Sequence, residues 1–257
     1  MNVRIDELFL RLRRERRTGL GTYLVAGDPN PETSLQAFRT LVAGGADLLE
    51  VGIPFSDPVA DGPVVADAHA RALRAGQTLP RTLELVEALR CEHAQIPIIL
   101  MGYANPLLQY GPEAFFEDAR RCGVDGLIVV DQPLEHAASW AALARAAGID
   151  LVRMLAPTTP EERARQILSE ADGFAYLVTR TGITGSGAAD PADVQARVAA
   201  LRRVSSLPLA AGFGISTARD IAALGGCVDL TVVGSCLVDA LLQGLPILAE
   251  RLRQLRF

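Results

Sequence analysis

Eight short apolar runs alternate with longer stretches of mixed polarity, and this alternation sets the strongest limit on what the chain can fold into. The runs lie at 22–26, 47–51, 97–101, 126–130, 150–154, 174–178, 208–212 and 230–234. Each is short enough to be a strand and apolar enough to be buried on both faces. Between them the apolar residues recur at helical spacing, as in 31–42, where Leu35, Phe38 and Leu41 share one face. The stretches 112–121, 134–146, 160–168 and 191–203 read the same way, several with Pro near the first turn, where its missing N–H costs nothing. Strands that alternate with helices form a parallel sheet covered by helices. Eight such units in 257 residues, with no compositional break, predict one closed (β/α)₈ barrel domain over 1–257. An amphipathic helix at 1–17 is expected to cap it. A doubly wound open sheet is the weaker alternative, because Gly27-Asp28-Pro29 stands where a GxGxxG turn would follow the first strand.

In such a barrel, chemistry belongs at the C-terminal ends of the strands. The window 48–63, LLEVGIPFSDPVADGP, sets Glu50 among Leu48, Leu49 and Val51. A carboxylate buried there must be paired, hydrogen-bonded or protonated near neutral pH. The loop that follows is stiffened by Pro54 and Pro58 and carries Asp57 and Asp61. A buried acid beside a stiff loop presenting a second acid suits general acid–base chemistry. Three small-residue turns follow the last three strands: Gly182 to Gly185, Gly212 to Ser216, and Gly234-Ser235. Glycine lets backbone amides approach a ligand and helix N-termini favour anions, so these turns are expected to hold a phosphate.

Composition excludes other classes. A net charge of −5 argues against nucleic-acid binding, and the basic run Arg11 to Arg17 reads as a solvated helix face. No apolar stretch is long enough to span a membrane or to act as a signal peptide. The four cysteines are scattered and read as reduced, mostly buried thiols of a cytoplasmic protein. His69, His93 and His136 show no metal-ligand spacing, read as surface or cap residues, and leave no metal site expected. All 25 basic residues are arginine. Without lysine no Schiff base can form on this chain, which removes the lysine-dependent aldolases.

Taken together, GDP at 27–29, the block at 48–63, MGYANP at 101–106, VDGLIVVDQP at 124–133, FAYLVTRTGITG at 174–185, AGFGIS at 211–216 and VVGS at 232–235 resemble the tryptophan synthase alpha family over nearly the full length. The resemblance implies a (β/α)₈ lyase that cleaves indole-3-glycerol phosphate to indole and glyceraldehyde 3-phosphate. It implies no cofactor on this chain, and a pyridoxal-phosphate β subunit as partner in an α2β2 heterotetramer. It assigns catalysis to Glu50 and Asp61, and the indole pocket to Tyr176, Tyr23, Val65, Met101 and Ile128. Gly185, Phe213, Gly214, Gly234 and Ser235 fall at its phosphate positions; Pro54, Phe55 and Asp57 fall on its partner face. Two departures stand out: Ala66 replaces a common Gln, and 186–189 is a small-residue run where the family's lid is larger and more polar. A free-standing lyase and a weakly catalytic paralogue that modulates a partner are the alternatives.

Overall fold

The computed structural model describes residues 2–179, 191–212 and 214–256. The first half comprises α1 (Val3–Glu15), β1 (Gly19–Val25), α2 (Pro31–Ala43), β2 (Leu48–Gly52), α3 (Pro63–Arg74), α4 (Leu79–Glu92), β3 (Ile98–Gly102), α5 (Ala104–Tyr110), α6 (Pro112–Cys122) and β4 (Gly126–Val129). There follow α7 (Ala138–Ala147), β5 (Asp150–Leu151), β6 (Arg153–Leu155), α8 (Glu161–Ser169), β7 (Ala175–Val178) and α9 (Pro191–Arg202). The chain ends with β8 (Leu209–Gly212), α10 (Ala218–Leu224), β9 (Leu230–Val233), α11 (Ser235–Leu242) and α12 (Leu245–Leu255).

All strand pairings are parallel, in the order β5-β4-β3-β2-β1-β9-β8-β7-β6. The two ends of that order are consecutive in sequence. The run expected at 150–154 is broken at Val152: its first half pairs with β4, its second with β7. These halves are one barrel strand, so the sheet returns on itself and the (β/α)₈ expectation holds. The segment 134–146 is likewise divided. The amides of His136 and Ala137 bond three residues back, to Pro133 and Leu134, making a 3₁₀ turn (Leu134–His136) before α7. Strand β1 begins earlier than its apolar run because Leu12, Leu230 and Val232 fill the space that side chains at Gly19 and Gly21 would take.

Helix α1 closes the N-terminal end of the barrel. Ile5, Leu8, Phe9 and Leu12 are buried, and Phe9 packs on Phe174 with ring centroids 5.7 Å apart. Its basic run is not merely solvated: Arg11 and Arg17 both bond Asp47. Asp47 illustrates a repeated device. It stands just before β2 and accepts the Leu20 amide of β1. Asp125, before β4, accepts the Ile98 amide of β3 and pairs with Arg4 and Arg90. Asp229, before β9, accepts the Leu209 amide of β8 and pairs with Arg202. Each carboxylate thus fastens the start of a neighbouring strand and is neutralised by arginine. No helix among the described residues is long and apolar enough to cross a membrane.

Candidate active site

At the opposite end, strand register collects the polar residues. Successive strand side chains alternate between the barrel interior and the helix layer. Tyr23 and Glu50 are register partners on β1 and β2, and with Tyr176 of β7 they line one cleft with about 450 Å³ of empty space. Asp61, Val65, Met101, Gly214, Gly234 and Ser235 line it too. Tyr176 fits because Gly212 lacks a side chain; a Cβ there would stand 1.8 Å from the tyrosine oxygen.

Glu50 is fully buried, and neither carboxyl oxygen has a hydrogen-bond partner among the described residues. Burial with nothing to offset it pushes the acid up to about 8. Burial also raises the phenols of Tyr23 and Tyr176 well above their ordinary value, so both remain protonated.

Asp61 is held differently. The Tyr103 hydroxyl donates to Oδ2 at 2.7 Å, and the Ala60 amide donates to the same tyrosine oxygen at 3.1 Å. The Phe55 ring lies tilted on Tyr103 with centroids 5.3 Å apart. The imidazole of His69 is buried behind them, with Nε2 3.4 Å from Asp61 Oδ2. No hydrogen bond from the described residues reaches Asp61 Oδ1.

The family model described as tryptophan synthase alpha chain matches residues 9–255. The chain belongs to that family. A solved alpha chain from Legionella pneumophila is 34% identical, with a TM-score of 0.89 over 99% of this chain and 96% of its own. A Mycobacterium tuberculosis tryptophan synthase structure is 35% identical, with a TM-score of 0.90 over 99% and 97%. An Aquifex aeolicus protein is 38% identical, with a TM-score of 0.90 over 99% and 98%. Membership in the tryptophan synthase alpha family makes the chain a lyase of tryptophan biosynthesis.

Most of the residues that the family pattern singles out converge on the cleft. Ile128 does not: it is buried on β4 as the register partner of Met101 and is not part of the lining. Gly185, Phe213 and the 186–189 run lie outside the described residues. Pro54 is buried, so it braces the loop instead of offering a surface; Phe55 is half-buried and Asp57 exposed. Val59, 78% exposed, is the loop's outward apolar residue. Ile215 and Val232 complete the lining. Period-two alternation from Gly234 could have found Val232. His69, read as a surface or cap residue, is buried; its spacing of four from Val65 on α3 was the available signal.

Proposed function

We propose that the chain cleaves indole-3-glycerol phosphate by a retro-aldol reaction to indole and glyceraldehyde 3-phosphate. The observation that carries this reading is a buried, unpartnered Glu50 sharing one cleft with the tethered Asp61. An acid with a pKa of about 8 is mostly protonated at neutral pH. Glu50 therefore gives its proton to C3 of the indole ring. The ring becomes cationic, and Asp61 Oδ1 accepts the ring N–H and stabilises that charge. The bond from C3 to the glycerol carbon then breaks, and its electron pair returns to the ring. The hydroxyl on that carbon becomes the aldehyde and passes its proton to the Glu50 carboxylate, which restores the acid.

The phosphate is assigned to the amides around Gly214, Gly234 and Ser235, where α11 begins without a side-chain cap and its first N–H groups precede the first helical bond. Gly214 has φ +80°, a conformation a β-branched residue resists. Gly214→Val should weaken glycerol phosphate binding by about tenfold or more, measured by calorimetry. Unchanged affinity would move the phosphate elsewhere.

These steps use proton transfer and fixed charge on this chain, so no cofactor is assigned to it; pyridoxal phosphate belongs to a β-subunit partner, in an α2β2 assembly. The free cysteines suit a reducing cytoplasm, although only Cys122 is buried, Cys91 is exposed and Cys227 and Cys236 are half-buried, against the expectation of mostly buried thiols. The loop that carries Asp61 also presents Phe55, Asp57 and Val59 at the mouth, so a partner resting there would order the acid. Indole release should therefore rise when a β subunit is titrated in, and an active-site ligand should tighten assembly by the same factor. The lid run 186–189 is small, so the activation should be modest. Assembly without activation would remove the coupling; activity without assembly would indicate a free-standing lyase; no cleavage in either state would overturn the reaction.

A further inference from the structure

We propose that His69 is a positioning residue: its imidazole joins the backbone of the loop at Phe55 to the Asp61 carboxylate and sets which oxygen Asp61 presents to the substrate. The inference rests on the reading of Asp61 given above. His69 lies on α3 and is 2% exposed. The Phe55 amide points at Nδ1 at 3.2 Å. An N–H donor there leaves Nδ1 only the acceptor role, so the ring proton sits on Nε2. That N–H is hydrogen-bonded to the Tyr23 hydroxyl at 3.4 Å and lies at the same distance from Asp61 Oδ2, a close polar contact.

The consequence is directional. Tyr103 donates to Oδ2, the His69 ring lies 3.4 Å from the same oxygen, and neither bonds Oδ1. The carboxylate is therefore held by one oxygen and offers the other, a fixed orientation that a freely rotating Asp would lack. The same imidazole reports loop position. If Phe55 shifts, Nδ1 loses its donor, the proton is no longer confined to Nε2, and the hold on Asp61 slackens. The loop is fastened at its two ends to two side chains, Phe55 to His69 and Ala60 to Tyr103, and both of these meet at Asp61 Oδ2.

Substitutions at His69 separate the two contacts. His69→Ala removes both, His69→Gln keeps an amide N–H near the Nε2 position, and His69→Asn keeps an acceptor near Nδ1. For His69→Ala, kcat for indole-3-glycerol phosphate cleavage should fall about three- to tenfold, the size of one ordinary polar contact, with KM little changed. His69→Gln should recover most of the rate and His69→Asn less. In an Asp61→Asn background, His69→Ala should cost little more, since the residue acts through Asp61. Unchanged kcat in the alanine variant, or losses that multiply in the double variant, would overturn the proposal. The nitrogen shifts of ¹⁵N-labelled His69 give a readout independent of turnover. They should report Nε2–H in the unaltered chain and should move on Asp61→Asn; an Nδ1–H tautomer or no response would equally overturn it. A chain that fails to cleave at all would instead remove the reading of the reaction, while the nitrogen shifts still decide the His69–Asp61 contact.

Discussion

Glu50→Gln is expected to lower kcat for indole-3-glycerol phosphate cleavage by about 10⁴ or more while leaving KM within a few-fold. The amide has nearly the shape of the protonated acid, so the cleft and the phosphate contacts persist. It can neither give a proton to C3 nor take one from the departing hydroxyl, and each of these roles is typically worth ~10²–10⁴ in rate. The pH profile carries the same signature. The first step needs the protonated acid, so the rate of the unaltered chain should fall as pH rises through about 8, with no matching limb in the residual rate of the variant. Steady-state kinetics from about two pH units below that value to about one above it check both. Turnover near that of the unaltered chain in the Gln variant would transfer the proton shuttle to another group.

The second large effect concerns stability, and its sign follows from where the proton resides. Glu50 has an ordinary value of 4.5 in the unfolded chain and about 8 when folded. Below the lower value both states hold the proton and the residue is neutral to stability. Between the two the unfolded chain releases it and the folded chain keeps it, so stability falls steadily with rising pH. Above about 8 the loss is complete, on the order of 5 kcal/mol. Glu50→Gln removes the ionisation and with it the slope. Denaturant unfolding should therefore show the variant gaining on the unaltered chain across this window, most at the alkaline end. Parallel stability curves would mean that the folded state admits water or a cation to the carboxylate.

The acid that runs the reaction is thus also a weak point of the fold, a trade that a strand of Leu48, Leu49 and Val51 around one Glu announces in sequence. The barrel was legible for a similar reason: strand and helix periods differ, and eight repeats of the pair leave few alternatives. What escaped depended on contacts between distant residues. The break at Val152 arises because its strand must serve β4 on one side and β7 on the other, which no local pattern encodes. Arg11 and Arg17 looked solvated because Asp47 comes 30 or more residues later. Ile128 has the right neighbour, Met101, but register alone does not say which apolar side chain reaches the open cleft. His69 was missed because its meaning lies in two loop atoms, the Phe55 amide and Asp61 Oδ2, that only the folded loop brings to it.

The carboxylate latch at Asp47 and the buried acid at Glu50 answer to opposite extremes of acidity. At Asp47 the partner is Arg17, whose guanidinium is held charged by its bond to that carboxylate. At Asp47 burial works against ionisation, but the bond from Arg17, the Leu20 amide and the nearby arginines outweigh it and hold the acid below its ordinary value. That latch lets go when acid reaches its carboxylate. At the catalytic rim Glu50 becomes uncomfortable as protons grow scarce. Alkaline loosening therefore starts at Glu50 in the mouth, while the Asp47 latch keeps the starts of β1 and β2 joined and yields to acid.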